Sequence, residues 1–398
     1  MTSPQRRPLK ICDLTQFYSP VSGGVRRYIE QKGAYLRKHR PDCRHIIIVP
    51  GEKTESFGDD LIRTYTIASP LLSRTSRYRA LTKLHLIEEV LEKELPDVIE
   101  SGDPYQVAWK AIASGRGLDI PVVGFYHSHF PEAYFRTIAK YFGPLAVSIT
   151  DEICRKYVTT LYNRFECTFV PSPVLAKLLS GWGVERIHTV DLGVDAEVFV
   201  PDIPDRAATR TKLEIPAEAR LLLYVGRLAS EKNVRTLFEA FSLLHTREPG
   251  KYFLLCVGDG TQRAMVQNLR EETNAVHWLS FCPDPHELAS LYRAADLFVH
   301  PGVQETFGLV ALESQASGTP VVGIKGSYMD RIIFTDQKHW ATENSPAALA
   351  GAIEQKFTQN LPAAGLAASM EARERYSWKS AFSRLFNIYT EVVNHYSP

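Results

Sequence analysis

The chain has 398 residues, 44% of them hydrophobic and 23% charged, which is the composition of an ordinary water-soluble globular protein. Lys and Arg number 46 against 45 Asp and Glu, so net charge gives no reason to expect a nucleic-acid partner. Glycine and proline stand at 24 each, which excludes collagen-like and disordered classes, and six cysteines without a Cys-x-x-Cys pair exclude a disulfide framework and a zinc site. At roughly 150 residues per domain, the length implies two domains or three. The leading MTSPQRRPLKICDL has no apolar core of signal-peptide length, and no apolar run approaches the ~18 residues needed to cross a bilayer. The expected localisation is cytoplasmic, with contact to a membrane at its inner surface at most.

In chain order, short apolar runs alternate with helical patterns, which predicts a parallel α/β architecture. Strands are expected at 9–14, 45–50, 97–101, 120–126 and 167–171, then at 221–225, 253–257, 276–281, 297–300 and 320–324. Residues 196–216 carry three prolines and mixed charge and read as a linker. It leaves an N-terminal unit, 1–195, and a C-terminal unit, 217–377. Ser230 is the expected N-cap of a helix with Val234, Leu237, Phe238, Phe241 and Leu244 at helical spacing. From 378 onwards Phe382, Leu385, Phe386, Ile388, Tyr389 and Val392 form a stripe that needs a partner face.

Three motifs carry chemistry. In SPVSGGVRRYIE, Gly23 and Gly24 follow the first strand and open a helix, where free amides can meet an anion; the plain alternative is a tight turn. In YVGRLASEKNVRTLFEAF, Arg227 stands just past a strand and Lys232 near the next helix. Together they can clamp a diphosphate, Arg as a fork and Lys as a point charge; the plain alternative is two solvated cations. In HPGVQETFGLVALESQASGTPVV, Glu305 and Glu313 bracket seven residues, and Thr306, Phe307, Gly308 and Leu309 lead into a helix whose first amides can bind phosphate or hydroxyl. Carboxylates suit sugar and ribose diols. Glu313 lies among Leu309, Val310, Leu312 and Ala316, so it is expected to be buried.

GRLASEK, the GDG loop at 258–260, the Glu-x-seven-Glu segment and DLGVDAEVF together resemble glycosyltransferase family 4, in order and over nearly the whole chain. The resemblance implies the GT-B fold, α/β, with two Rossmann-like domains facing a central cleft and a C-terminal helix, 378–398, that crosses back to the N-terminal acceptor-side domain. It implies that Arg227 and Lys232 hold the donor diphosphate, that Glu305 contacts hexose hydroxyls, and that the segment Thr306, Phe307, Gly308 and Leu309 faces sugar and phosphates. Glu313 would bind the ribose, Gly23, Gly24 and Gly258 would lie near the donor, and His127 in VVGFYHSHFPEAY would touch donor sugar and phosphate. His129 is its near neighbour. The loop at Phe281 and Cys282 is read as the place where backbone groups meet the nucleotide base. This sequence departs from the family pattern at His300-Pro301-Gly302, at Leu192 before Gly193-Val194-Asp195, and at Gly326-Ser327.

The implied reaction moves a hexose, with retention, from a UDP- or GDP-sugar to a hydroxyl of a lipid or saccharide. The nucleotide sugar is a co-substrate and no cofactor is expected. The chain contains no Asp-x-Asp, so a metal-independent transfer is expected, with fixed cations and amides stabilising the leaving diphosphate. Residues 1–86 hold 16 Lys and Arg against 7 acids. Residues 71–86 read as a basic amphipathic segment and 130–165 are rich in aromatics, which suits an anionic membrane surface or an apolar acceptor groove; a solvated face and a core are the plain alternative. A GT-B epimerase or phosphorylase, and a non-catalytic nucleotide-sugar-binding protein, are the competing classes.

Overall fold

The computed structural model of the protein describes residues 8–19, 24–72, 77–127, 144–303, 307–327, 331–334 and 336–396, with the side chains at 144–147 and 203–204 excepted. The chain parts into two compact units, Met1–Asp191 with Trp378–Pro398, and Leu192–Ser377.

The first unit is built on one sheet. Its strands are β1 (Lys10–Leu14), β2 (Arg44–Gly51), β3 (Glu55–Gly58), β4 (Ile62–Ala68), β5 (Val98–Ser101), β6 (Val122–Phe125), β7 (Thr168–Val170) and β8 (Ile187–Thr189). They lie in the order β3-β4-β2-β1-β5-β6-β7-β8, parallel throughout except for β3 against β4. β5 and β6 are buried along their whole length, because a parallel sheet is covered by helices on both faces and its strands become continuous apolar runs. The covering helices are α1 (Gly24–His39), α2 (Leu84–Glu94), α3 (Gln106–Gly117), α4 (Pro144–Tyr162) and α5 (Pro173–Gly181). The start of α5 shows how the sequence sets a boundary: Ser172 Oγ accepts from Leu175 N at 3.3 Å, and Pro173 fills the first turn, where no N–H is needed.

The second unit has five parallel strands, β9 (Arg220–Val225), β10 (Tyr252–Val257), β11 (Val276–Leu279), β12 (Leu297–His300) and β13 (Val321–Gly323), in the order β11-β10-β9-β12-β13. Its helices are α6 (Ile203–Lys212), α7 (Val234–Arg247), α8 (Arg263–Thr273), α9 (Pro285–Ala294), α10 (Leu309–Ala316), α11 (Pro346–Lys356) and α12 (Leu361–Arg375). The last helix, α13 (Trp378–His395), returns to the first unit and buries Phe382, Leu385, Phe386 and Tyr389, with rings packed against Tyr28 and Tyr35 of α1.

Three expectations need correction. The stretch 196–216 is no linker: α6 lies within it, and Arg206 and Arg210 reach Asp296 at 2.5 and 3.1 Å, fixing this segment to the second unit. One of its three prolines, Pro204, occupies the first turn of α6 rather than a flexible joint. Ser230 begins a 3₁₀ turn, Ser230–Lys232, and α7 starts only after Asn233, whose φ of 55° breaks the run. The segment 71–86 is not one amphipathic helix. Leu71 pairs with Arg79 in an antiparallel bridge, and Arg79 binds Glu52 and the Ser69 carbonyl, before α2 starts at Leu84. Of the aromatic residues in 130–165, Tyr162 and Phe165 are core side chains, while Phe130, Tyr134, Phe135, Tyr141 and Phe142 lie outside the described residues.

Candidate active site

In the second sheet the strand order reverses between β9 and β12, and ligands of open α/β sheets bind beyond the C-terminal strand ends at such a point. The loop after β9 carries Gly226, Arg227 and Leu228. Tyr224 Oη donates to the Arg227 carbonyl at 2.9 Å, and Leu228 N donates to the Asp259 carbonyl at 3.0 Å. Gly258 stands at φ 142°, and a Cβ there would lie 1.8 Å from the Gly226 carbonyl oxygen. Packing of the GDG loop on the loop after β9 therefore requires glycine at this position. The Arg227 side chain is half-exposed, with Nη2 3.0 Å from Glu231 Oε1, an i,i+4 pair of the kind that contributes ~0–1 kcal/mol.

Lys232 ends the 3₁₀ turn, and the sequence reading missed what holds it. Asn233 Nδ2 donates to the Pro301 carbonyl at 2.8 Å and to Asn344 Oδ1 at 2.7 Å, while Thr236 Oγ1 donates to Asn233 Oδ1 at 2.9 Å. These bonds tie the Lys232 turn to the loop after β12. Asparagine is among the residues that tolerate the left-handed conformation, and that was the available signal in SEKNV.

α10 starts from Gly308 at φ 89°, and Ala311 N and Leu312 N both donate to the Gly308 carbonyl. The preceding first-turn amides are the ones a helix leaves for capping groups or ligands. Phe307 is buried beside the Tyr376 ring (centroids 5.9 Å), and the Arg331 guanidinium lies 5.8 Å from both rings. Glu313 is 2% exposed and accepts from Tyr292 Oη at 3.1 Å. Phe281 and Cys282 lie between β11 and α9; Phe281 is exposed, and burial followed by Glu287 pushes the Cys282 thiol up to about 11. Loops after β9, β10, β11 and β12 thus bring Arg227, Lys232, Gly258, Phe281, Cys282, Phe307, Gly308 and Leu309 to one edge of this sheet. Glu305 and Thr306 lie outside the described residues.

In the first unit, His127 lies just past β6. Its ring stacks on Phe125 (4.0 Å, 6°) and meets Tyr28 edge-on at 5.0 Å. Burial first, then the nearby Lys32 charge, pushes its pKa down to about 3, so the imidazole is neutral at pH 7. Gly24 opens α1 at an exposed position, whereas Gly23 and His129 lie outside the described residues. Beneath His127 is a charge cluster that the sequence reading did not find. Lys32 Nζ donates to Asp13 Oδ1 at 2.7 Å, to Glu100 Oε1 at 3.1 Å and to Tyr389 Oη at 3.0 Å. His45 Nε2 lies 2.6 Å from Asp13 Oδ2, and Tyr28 Oη and Tyr389 Oη both donate to Glu100 Oε2. Burial and Asp13 work against Lys32 to raise Glu100 to about 7, while Lys32 and His45 hold Asp13 well below the usual carboxylate range. The available signal was charge inside fully buried parallel strands, Asp13 in KICDL and Glu100 in VIES.

Among the described residues, no three His, Cys, Asp or Glu side chains converge as a metal site would need, and no helix is long and apolar enough to cross a membrane.

Two family models match the chain: one described as Glycosyltransferase Family 4 over residues 22–198, and one described as Glycosyl transferases group 1 over residues 205–375. The chain is 26% identical to a GDP-mannose-dependent alpha-mannosyltransferase of Corynebacterium glutamicum, over 97% of this chain and 90% of that one. It is 28% identical to a GDP-mannose-dependent alpha-(1-6)-phosphatidylinositol dimannoside mannosyltransferase of Mycobacterium tuberculosis, over 87% of each. Among solved structures it superposes on sucrose-phosphate synthase from Thermosynechococcus elongatus with a TM-score of 0.75, at 21% identity, over 98% of this chain and 100% of that one.

Proposed function

This chain belongs to glycosyltransferase family 4, has the GT-B fold and is a hexosyltransferase; from that premise we propose that it transfers a hexose from a nucleoside-diphosphate sugar to a lipid or saccharide hydroxyl, with retention and without a metal ion. The observation that carries the reading is the meeting of Arg227, the Lys232 turn and the start of α10 at the strand-order reversal of the second sheet. Two cations and the positive end of a short helix suit a leaving diphosphate. In this reading Arg227 and Lys232 bind the diphosphate and the Phe307–Leu309 amides face its oxygens. Glu305 binds hexose hydroxyls, and Glu313, held by Tyr292, meets the ribose. His127 touches the donor sugar as a neutral imidazole, which can donate from one nitrogen and accept at the other.

The names of the two mannosyltransferases support GDP-mannose as the first donor to try, with UDP-glucose second, and the second name supports a lipid-linked acceptor. A lipid acceptor places the enzyme at the inner face of a membrane. Exposed Leu72 on the first unit, and Ile149 and Ile153 on α4, offer apolar contact for such a surface. Metal independence rests on the lack of Asp-x-Asp and on the cations already present at the diphosphate position.

A thermal-shift panel of nucleotide sugars, with and without chelator, tests this reading. A bound donor at a hundredfold excess over Kd adds about 2.7 kcal/mol, or roughly 5–10 °C for a unit of this size. The expected result is a rise with one nucleotide sugar, unchanged by chelator. No rise with any of them overturns the donor assignment, and a rise abolished by chelator and restored by magnesium overturns metal independence.

A further inference from the structure

The residue after Lys232 is bonded to three separate parts of the second unit. Asn233 stands at φ 55°, where glycine is the least strained residue because it has no Cβ. Glycine would give the turn its shape, but it lacks the side-chain amide, and every group of that amide is used here. Nδ2 donates one proton to the Pro301 carbonyl at 2.8 Å and the other to Asn344 Oδ1 at 2.7 Å, and Oδ1 accepts from Thr236 Oγ1 at 2.9 Å. Chemistry sets the orientation of the amide: a carbonyl only accepts, so the nitrogen must face Pro301. The acceptor is itself fixed. The Pro301 ring locks φ, and Pro301 and Gly302 are both buried. A Cβ on Gly302 would lie 2.7 Å from His300 Cε1, so the chain needs glycine there to follow this path. The bond to Pro301 is part-buried and the bond to Asn344 exposed, which makes the first the stronger anchor.

We propose that Asn233 is a positioning residue, which acts through Lys232 by pinning the Ser230–Lys232 turn to the loop after β12. The inference deepens the functional reading, because it rests on Lys232 binding the donor diphosphate. The two residues share a planar peptide, so a bond that fixes Asn233 also fixes the end of Lys232. The turn's own bonds run from Lys232 N to the Ala229 carbonyl and from Asn233 N to the Ser230 carbonyl, both at 3.0 Å. They are of the 3₁₀ kind, whose geometry is poorer than that of an α-helix. Lysine is a point charge on a flexible four-carbon stem, so the place of its backbone decides which oxygens it reaches. A misplacement of about 1 Å can cost on the order of a hundredfold in rate. Pro301 belongs to the connection from β12 to α10, so the bond links the lysine to the connection whose far end supplies the proposed diphosphate amides.

A double-mutant cycle on the full chain tests this, with GDP and UDP as probes in titration calorimetry against wild type, Lys232→Ala, Asn233→Gly and the double variant. Asn233→Gly keeps the backbone shape and removes the amide. It should bind the diphosphate about tenfold more weakly, with a melting temperature within about 3 °C of wild type. In the Lys232→Ala background the same substitution should change affinity by less than about twofold, because its effect passes through the lysine. Asn344→Ala, which removes only the exposed bond, should lose less than about threefold. Wild-type affinity in Asn233→Gly overturns the proposal, whatever its melting temperature. So do equal losses with and without Lys232, and a loss in Asn344→Ala as large as that in Asn233→Gly. If wild type binds neither probe, or Lys232→Ala binds as wild type does, the functional reading falls and this one with it. If Lys232→Ala binds weakly and Asn233→Gly does not, this one alone falls.

Discussion

Lys32 and Arg227 each follow the first strand of a parallel sheet, one on the helix after β1 and the other in the loop after β9. Lys32 is fully buried and shared by two carboxylates and a phenol, whereas Arg227 is half-exposed and pairs with Glu231. A buried ion is expensive to desolvate and is tolerated only when its donors are satisfied, and Lys32 Nζ has an acceptor for each of its three. An exposed i,i+4 ion pair such as Arg227–Glu231 is worth ~0–1 kcal/mol, so a diphosphate can compete for the guanidinium. The contrast teaches that the first unit uses charge inside its core beneath His127, while the second carries charge at its surface, where the proposed donor site lies.

The largest expected effect breaks the buried side of the comparison. Lys32→Met leaves Asp13 and Glu100 facing each other without a cation, and should cost about 3–5 kcal/mol in denaturant unfolding. A loss below ~1 kcal/mol would mean that the cluster is not the scaffold described. Next comes the exposed side: Arg227→Ala should lower kcat/KM by about 100- to 1000-fold while stability stays within ~0.5 kcal/mol. Equal losses in stability and rate would make Arg227 structural. Third, Gly258→Ala pushes a methyl into the Gly226 carbonyl and should destabilise the protein by about 1–3 kcal/mol, read as a lower melting temperature.

The smallest effect is the pH dependence of the first unit. Burial holds the folded-state pKa values of His127 and His45 below the ordinary 6.5. As pH falls below about 6.5 the unfolded chain takes up protons that the folded one refuses, and stability falls. Glu100 works the other way, since its raised value of about 7 contributes stability that is lost as pH rises through 7. His127→Gln removes one refusing group, so between pH 6.5 and 5 its stability should fall less steeply than wild type, by under about 1.4 kcal/mol per pH unit. Parallel slopes in chemical denaturation would contradict a buried neutral His127.

Most of both sheets was legible because β2, β9, β10 and β12 are short strands dominated by apolar residues, and β1 and β5 are so apart from Lys10, Asp13, Glu100 and Ser101. β3, β4 and β8 were missed, since ESFG is exposed throughout, IRTYTIA is only half-buried and IHT is short and polar. The linker was misread because proline marks a helix start as readily as a loop, and the bonds from Arg206 and Arg210 to Asp296 join residues more than 80 positions apart. The same distance in sequence hid the Lys32 cluster, whose members come from β1, α1, β2, β5 and α13. At the second-unit site, the place of Arg227 just past a strand was legible, while its role with Lys232 at a diphosphate was implied by the resemblance and stands as a proposal. The burial of Glu313 was legible from its apolar neighbours. The role of Asn233 was not, because it depends on a carbonyl at 301 and an amide at 344.

Titration calorimetry of a nucleoside diphosphate against wild type, Arg227→Ala and Lys232→Ala tests the central claim most directly. The account predicts that each variant keeps its fold and binds at least tenfold more weakly, with a smaller loss of affinity on adding salt. Wild-type affinity in both variants would contradict it.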